Sequence, residues 1–235
     1  MQKTIILIPT YNERENVELL IPEIFALHAD VHVLIIDDSS PDGTGEFVRS
    51  LMKSYPNLSM LSRPGKQGLG EAYKAGMTQV LKDPDVTAIM TMDADGSHAA
   101  EYIADLRKAG ETNDMVIGSR YTRGGGIENW ERWRYFLSRW GNFYARTITG
   151  LPIRDMTAGF MHIRADVLRK IDFLAMRASG YAFLMELKFR IARTLQGSVV
   201  EVPIMFKSRR GGESKISNHI IREGLKTPWL IRFKR

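Results

Sequence analysis

Two aspartates one residue apart, Asp93 and Asp95, follow an apolar run over residues 86–92. The run has the composition of a buried strand, and strand alternation would point both carboxylates to the same side. Two adjacent carboxylates repel each other unless a cation lies between them. Mg²⁺ or Mn²⁺ suits such oxygen ligands and keeps coordination positions for substrate phosphates. The pattern therefore indicates a divalent-metal site at the carboxyl end of a strand.

Other interpretations of this segment are open on its residues alone. Asp95 or Ser97 could cap a following helix, and Asp-x-Asp-Gly-Ser also resembles the nucleophile loop of haloacid-dehalogenase-type phosphatases. That loop follows the first strand of its domain, whereas three strand patterns precede Asp93. A dinucleotide-binding fold is disfavoured as well, because its glycine fingerprint belongs in the first strand–helix turn. That turn, residues 9–13, contains no glycine.

Composition narrows the class of protein. The chain has 235 residues, of which 44% are hydrophobic and 26% charged, as in an ordinary globular domain. The absence of cysteine excludes disulfides, thiolate chemistry and cysteine-ligated metals. A net charge of +6 favours an anionic partner. The first residues are too few before the first strand to suggest a signal peptide, and no run approaches the roughly 18 apolar residues of a membrane-spanning helix.

Strand and helix patterns alternate regularly over the first half of the chain, and these elements must position the two aspartates. Short apolar runs predict strands at residues 4–8, 31–36, 58–61, 86–92 and 115–118. Helical patterns with apolar residues at i, i+3 and i+4 separate them. This alternation predicts an α/β fold with a mostly parallel sheet covered by helices on both faces. Within the first helical pattern, Pro22 predicts a kink or a break.

The regular alternation ends after Arg120. An aromatic, arginine-rich helix is predicted from residue 130 to about 148, with an apolar stripe typical of a core-facing helix. The stripe consists of Trp133, Phe136, Leu137 and Trp140. Further strands are predicted at residues 157–164 and 199–206, with a helix from about residue 180 between them. Residues 207–215 form a basic, glycine-containing loop suited to anion binding.

Polar groups are expected to converge on one edge of the predicted sheet. Residues 9–13, 37–38 and 93–95 each follow a parallel strand, and the carboxyl ends of such strands share an edge. An aromatic Tyr11 and a carboxylate that can accept both hydrogen bonds of a ribose diol suit a nucleotide. Basic residues suited to a second anion come later, at Arg120, Arg134, Arg209 and Lys215. The pattern predicts a nucleotide diphosphate on one side of the site and a phosphate on the other.

These motifs, in this order, resemble the GT-A glycosyltransferases of family 2, and specifically the dolichyl-phosphate (polyprenyl-phosphate) mannosyltransferases. The resemblance runs from Ile5 to Lys215. It rests on Pro-Thr-Tyr-Asn-Glu at 9–13, Asp-Asp-Ser-Ser-Pro-Asp-Gly-Thr at 37–44, Asp-Ala-Asp at 93–95 and Gly-Ser-Arg-Tyr at 118–121. Later matches are Arg134 with Ser138, Asp-x-Thr-x-Gly-Phe at 155–160, Gly180-Tyr181 with Glu186, and Arg-x-x-Gly-x-Ser-Lys at 209–215.

The resemblance implies a role for each matching residue. Contacts to GDP-mannose are implied for Pro9, Tyr11, Glu13, Ile36, Asp38, Asp93, Ala94, Asp95, Arg209 and Lys215. The implied ligands of a divalent metal, Mg²⁺ or Mn²⁺, are Asp93, Asp95 and Ser97, the last standing where some relatives have glutamine. The implied acceptor-phosphate residues are Arg120, Arg134 and Ser138. Catalysis is implied for Asp95, Arg120 and Arg134.

The activity implied by the resemblance is inverting transfer of mannose from GDP-mannose to a dolichyl or polyprenyl phosphate. It also implies a GT-A catalytic domain over residues 1–215 and a basic amphipathic tail over residues 216–235, which could lie on a membrane or pack on the domain. The expected location is the cytoplasmic face of a membrane, with peripheral membrane contact and, as in some relatives, a small membrane subunit. No histidine matches a motif, and an ionised acceptor phosphate needs no strong general base.

Two alternatives remain open. One is a family-2 transferase that uses another sugar nucleotide, such as a glucose donor, or a non-lipid acceptor. The other is a non-catalytic nucleotide-binding subunit. Nucleic acid is not an expected partner, because the basic residues surround an acidic site instead of forming a continuous basic stripe.

Overall fold

The computed structural model describes residues 3–176, 180–208 and 218–233. Its strands are β1 (Lys3–Thr10), β2 (His32–Asp37), β3 (Leu58–Ser62), β4 (Val86–Thr91), β5 (Met115–Ser119), β6 (Gly126–Ile127), β7 (Met161–Arg164), β8 (Val199–Pro203) and β9 (Met205–Phe206). Its α-helices are α1 (Arg14–Leu27), α2 (Thr44–Leu51), α3 (Leu69–Val80), α4 (Ile103–Gly110), α5 (Arg132–Thr149), α6 (Ala165–Leu168), α7 (Gly180–Phe189) and α8 (Asn218–Phe233).

A seven-stranded sheet with the order β3-β2-β1-β4-β7-β5-β8 forms the centre of the molecule. Strands β1 to β4 pair in parallel, and β5 pairs in parallel with β8. Strand β7 runs antiparallel between β4 and β5. The predicted α/β fold with a mostly parallel sheet is therefore confirmed, and the described part of the chain contains one reversed strand within it.

Both faces of the sheet are apolar. Along β1, Ile5 and Leu7 enter one buried cluster, whereas Ile6 and Ile8 enter the cluster on the opposite face. Such alternation follows from the two-residue period of a strand. Helices α3, α5 and α7 contribute to the first cluster, and α1, α2 and α4 to the second. This arrangement buries the centre of the sheet and leaves the strand ends to carry polar groups.

The sequence prediction was wrong about the boundaries of two late strands. Strand β7 begins only at Met161, because residues 155–160 form an irregular loop. The predicted strand 199–206 is divided after Pro203, which lacks the N–H that a continuing ladder requires. The next residue, Ile204, donates its N–H to Ser119 and accepts from Gly126, which starts the small β6–β9 sheet.

Two helices also differ from expectation. Helix α1 continues through Pro22 as a single helix, so the predicted break does not occur. The aromatic stripe of α5 is exposed and is not core, since Trp133 and Phe136 keep 58% and 65% of their surface accessible. The side of α5 that enters the core instead carries Asn142, Ala145 and Thr149.

Helix α8, in the predicted tail, packs against α5. Tyr144 donates its hydroxyl proton to the carbonyl of Leu225 at 3.0 Å, and Trp229 Nε1 donates to the Tyr144 hydroxyl at 2.7 Å. None of the helices in the described ranges is both long and apolar enough to cross a bilayer.

Candidate active site

A cavity of about 470 Å³ opens at the carboxyl ends of β1, β2, β4 and β5. The residues predicted for the site that line it are Pro9, Tyr11, Glu13, Asp38, Asp93, Ala94, Asp95, Arg120, Arg134 and Ser138. They come from segments more than a hundred residues apart in the chain. The expected convergence on one sheet edge is therefore observed.

The other predicted residues lie elsewhere. The Ile36 side chain is fully buried in the core, where a Cβ added at Gly76 would come within 2.4 Å of its Cδ1. Ser97 is buried behind Asp95. Arg209 and Lys215 lie outside the residues that the structure describes. The roles of Ile36, Arg209 and Lys215 in donor binding stay predictions.

One end of the cavity is formed around Asp38, at the end of β2. Its carboxylate accepts a hydrogen bond from Arg63 Nη1 at 2.8 Å, and both side chains are buried. Arg63 also donates to Gln67 Oε1 at 2.9 Å. Burial raises the pKa of Asp38 even though the Arg63 charge opposes that change. Sequence reasoning missed Arg63, which is the first residue after β3 and was open to the same strand-end argument as Asp38.

The neighbouring Asp37 has a different, structural role. Its Oδ1 accepts hydrogen bonds from the hydroxyls of Thr10 and Ser40, and its Oδ2 accepts the N–H of Ser40. These bonds join the end of β1 to the loop after β2. The two aspartates therefore have different roles: Asp37 joins the end of β1 to the loop after β2, and Asp38 faces the cavity.

The segment after β4 places Asp93 and Asp95 on the cavity wall. Asp95 Oδ1 accepts hydrogen bonds from Ser97 N and Ser97 Oγ, at 3.1 and 2.6 Å. Ser97 therefore orients the Asp95 carboxylate, whereas its predicted role as a direct metal ligand remains a prediction. The helical turn that follows begins after Ala99 and has no side-chain cap. The helix-cap interpretation of Asp95 or Ser97 is wrong.

His98 supports the same segment. Its Nδ1 accepts the main-chain N–H of Asp93 at 3.0 Å, and its ring stacks on Phe160 with centroids 5.0 Å apart. Burial lowers the pKa of His98, although the nearby Asp93 and Asp95 oppose that change. With Nδ1 accepting, a neutral ring carries its proton on Nε2. Motif comparison missed this residue, since it only adjoins the Asp-x-Asp segment.

The donor set fits a divalent cation. Asp93 and Asp95 supply carboxylate oxygens, which hard cations such as Mg²⁺ and Mn²⁺ prefer, and a hydrogen bond already orients one of them. In the described ranges, no group of three or more histidine, aspartate or glutamate side chains is arranged to hold a metal. Asp93 and Asp95 would thus supply two carboxylate ligands, and phosphate and water oxygens suit further coordination positions.

The other end of the cavity is formed around Arg120, after β5. Its Nε and Nη2 donate to the two oxygens of Asp155 at 2.8 and 2.7 Å, and its main-chain N–H donates to the same carboxylate. Asp155 is fully buried. Burial alone would raise its pKa, but the charge and hydrogen bonds of Arg120 hold the pKa below its usual range. Arg120 is thus fixed in a two-pronged ion pair that sequence reasoning did not predict.

Helix α5 adds the second arginine. The Arg134 guanidinium lies 4.1 Å from the ring centroid of Trp130, a geometry that orients a cation over an aromatic face. One turn later, Ser138 Oγ accepts a hydrogen bond from the Tyr121 hydroxyl at 2.8 Å. Both residues line the cavity on the side of Arg120. The three predicted acceptor residues are therefore brought together by the structure.

The chain resembles known proteins in sequence over most of its length. The model of the glycosyl transferase family 2 matches residues 5–172. Polyprenol monophosphomannose synthase of Mycolicibacterium smegmatis is 42% identical over 226 residues, covering 95% of this chain and 84% of that protein. Undecaprenyl-phosphate mannosyltransferase of Micrococcus luteus is 41% identical over 223 residues, covering 95% and 91%.

Solved structures share the fold. Glucosyl-3-phosphoglycerate synthase from Mycobacterium tuberculosis, in complex with Mn²⁺, UDP and glucosyl-3-phosphoglycerate, superposes with a TM-score of 0.70 at 16% identity. The match covers 98% of this chain and 80% of that one. A mannosyltransferase from Pyrobaculum calidifontis, in complex with GDP-Man and Mn²⁺, gives a TM-score of 0.56 at 15% identity, covering 94% and 59%.

Proposed function

The chain belongs to the glycosyl transferase family 2, and on that basis we propose that it transfers mannose from GDP-mannose to a polyprenyl phosphate. One observation carries the proposal: a single cavity joins a pair of carboxylates to a pair of arginines. A carboxylate pair suits a metal-bound diphosphate, and the arginines suit a second phosphate. The names of the two relatives that are more than 40% identical support mannose and a polyprenyl phosphate as the transferred sugar and the acceptor.

The proposed reaction is a single in-line displacement. An oxygen of the lipid phosphate forms a bond to the anomeric carbon of mannose, while the bond from that carbon to the GDP oxygen breaks. The configuration inverts, giving a β-mannosyl phosphoryl lipid and GDP. The acceptor phosphate is ionised near neutral pH, so this step requires no general base. Positioning and charge supply the acceleration.

In the proposed reaction, one end of the cavity binds the donor and the other end binds the acceptor phosphate. Asp38, Tyr11, Pro9 and Glu13 would bind the nucleoside, with Lys66 Nζ already 4.3 Å from the Tyr11 ring centroid. A divalent cation held by Asp93 and Asp95 would neutralise charge on the departing diphosphate. Arg120, Arg134 and Ser138 would hold the acceptor phosphate on the opposite side of the sugar.

The test is a donor and acceptor screen with the purified full-length chain. GDP-mannose, UDP-glucose and GDP are each supplied with undecaprenyl phosphate, with geranyl phosphate or with no acceptor, in the presence of Mg²⁺ or Mn²⁺. We expect mannosyl lipid only from GDP-mannose with an isoprenyl phosphate. Transfer from UDP-glucose would favour the alternative donor, and binding of GDP-mannose without turnover would favour a non-catalytic subunit.

Arg134→Ala is expected to weaken acceptor use more than donor use. The change removes a guanidinium at the acceptor end and leaves Asp38 and its partners intact. A lost charge-assisted hydrogen bond of about 2 kcal/mol corresponds to a rise of roughly thirtyfold in the KM for the lipid phosphate. The KM for GDP-mannose should change by less than about threefold. The opposite pattern in steady-state kinetics would refute the assignment.

We further propose that the enzyme reaches its lipid acceptor by peripheral contact with the membrane, at the cytoplasmic face. The aromatic face, formed by the exposed side chains of Trp133, Phe136, Trp140 and Phe143 on α5 with Trp229 and Phe233 on α8, supports this contact. Exposed arginines on α5 accompany these rings at positions 132, 139 and 146. Aromatic rings with basic residues suit the interface of an acidic bilayer. A small membrane subunit remains a prediction.

Replacing Trp133 and Phe136 together by serine is expected to release the protein from vesicles that contain phosphatidylglycerol. The loss of two large apolar side chains should weaken binding by at least about tenfold in sedimentation assays. The matched control replaces Leu19 and Leu27, two exposed leucines on α1 across the sheet, by serine. Equal loss in both double variants would contradict the aromatic face as the site of contact.

A further inference from the structure

Lys188 is a lysine of α7 that lies wholly inside the protein. Its side chain has no accessible surface, and its Nζ donates hydrogen bonds to the carbonyls of Met156 and Ala158, at 2.9 and 2.6 Å. A buried ammonium is costly unless it is paired and hydrogen-bonded. The residue belongs to no matched motif and has no role in the proposed chemistry. Its presence in the core therefore needs an explanation.

The two carbonyls belong to the irregular loop of residues 154–159, which side chains from several elements hold in place. Glu201 of β8 accepts the N–H groups of Arg154 and Asp155, each at 2.9 Å. Asn142 of α5 accepts the N–H of Thr157 at 3.1 Å. Because this loop makes no strand ladder, its buried peptide groups depend on such side chains for their hydrogen bonds. Lys188 supplies the donors from the side of α7.

The loop connects the two ends of the cavity. Its first part carries Asp155, which holds Arg120 in the two-pronged ion pair. Its last part carries Gly159, where an added Cβ would lie 3.5 Å from His98 Cε1 and 3.7 Å from Asp93 Oδ1. The carbonyls that bind Lys188 lie between these two points in the chain. A shift of the loop at Met156 would therefore move Asp155 and, through it, the acceptor arginine.

We propose that Lys188 is a positioning residue that fixes the loop of residues 154–159 and thereby sets Arg120 for the acceptor phosphate. It does not touch the substrate; it acts through the main chain of the loop and through Asp155. The inference rests on the proposed function for the identity of the acceptor. Its geometric basis, two main-chain hydrogen bonds from a wholly buried lysine, does not depend on that identity.

The protonation of Lys188 is expected to make acceptor binding depend on pH. Burial lowers its pKa to about 7; the carboxylates of Asp155 and Glu201 oppose this shift, and Arg120 adds to it. The lysine is therefore charged below that value and loses its proton as the pH rises through it. Loss of this positive charge next to the Arg120–Asp155 pair should weaken the attraction for an anionic acceptor. The phosphate itself, with a second pKa of about 6, only gains negative charge over the same range, so its own ionisation cannot weaken binding.

The experiment measures binding of geranyl phosphate, a short isoprenyl monophosphate, and of GDP by calorimetry with the full chain. The variant Lys188→Met keeps the length of the side chain and removes its donors. We expect the Kd for geranyl phosphate to rise by about tenfold or more and the Kd for GDP to stay within about twofold. The control is Lys74→Met, since Lys74 is also buried and donates to a main-chain carbonyl, that of Met176. That variant should leave both Kd values within about twofold.

Several results would overturn the inference. Unchanged binding of geranyl phosphate in Lys188→Met, or equal weakening for both ligands, would show that the lysine does not position the acceptor end. If Lys188→Met does not fold, Lys188→Gln is measured instead; its amide keeps an N–H donor but is shorter, so the same selective rise in the Kd for geranyl phosphate is expected, and unchanged binding refutes the proposal. A wild-type Kd for geranyl phosphate that stays constant between about pH 6.5 and 8.5 refutes the pH dependence. Failure of GDP-mannose transfer by the wild type would instead count against the proposed function, because these binding measurements require no turnover.

Discussion

Replacing Asp95 with alanine is expected to lower kcat/KM for mannosyl transfer by about 10³-fold or more, roughly 4 kcal/mol of transition-state stabilisation. Asp95 is one of two carboxylates that would hold the cation, and its geometry is set by Ser97. Its loss removes half of the protein's charged ligands, so Mn²⁺ should bind more weakly as well. Electron paramagnetic resonance of Mn²⁺ measures that affinity without turnover.

Asp95→Asn provides a matched comparison. The amide oxygen can still accept the hydrogen bonds of Ser97, so the fold of the loop should be kept while one negative charge is lost. We expect a similar loss of transfer and of Mn²⁺ affinity, with circular dichroism and melting temperature close to wild type. Full activity with either variant would remove Asp95 from the site. A collapse of folding in both would assign it a structural role only.

Asp155→Ala is expected to lower the free energy of unfolding by about 3–5 kcal/mol, because it leaves the buried Arg120 without its carboxylate partner. The ion pair uses two hydrogen bonds between side chains and a third from the main chain of Arg120. Urea denaturation of the variant measures the loss. Acceptor use should fall as well, since the two-pronged pair that fixes the direction of the guanidinium is lost.

The control is Asp166→Ala, which breaks an exposed ion pair of similar two-pronged geometry with Arg164. Exposed pairs contribute about 0–1 kcal/mol, so this variant should be close to wild type. The pH dependence of the free energy of unfolding provides a second test. The pKa of Asp155 lies below its usual 3.8, so its contribution to stability is present above that value and is lost as the pH falls through the lowered pKa. Equal effects of the two substitutions would contradict the role of burial.

The strand-end argument predicted most of the candidate site. It places Asp38 and Asp93 at one edge, because parallel strands that alternate with helices share their carboxyl ends. The basic character of the later half indicated Arg120 and Arg134 as an anion site, and the motif resemblance added Ser138 and the assignment of all three to the acceptor phosphate. All of these residues line the cavity.

The rest could not be predicted because it depends on long-range packing. The aromatic stripe of α5 has the spacing of a core-facing helix. The side of α5 that packs on the core, however, is the one that carries Ala145. The strand predicted over residues 157–164 includes the last part of the loop, yet peptide groups of that loop bond to side chains from α5, α7 and β8. Lys188 belongs to no motif, and the role proposed for it rests on its hydrogen bonds in the folded chain.

Strand β7 has a consequence for how the protein can vary. It pairs antiparallel with both β4 and β5, and so joins strands β1 to β4 to the remaining strands of the sheet. The cavity residues proposed for the donor that the structure describes lie within residues 9–95, whereas those proposed for the acceptor lie within residues 120–138. Among the described residues, the proposed donor and acceptor positions thus come from separate stretches of the chain, whereas the predicted donor contacts Arg209 and Lys215 follow both. Under the proposed function, substitutions within residues 120–138 can change the acceptor while the donor residues within 9–95 stay unchanged.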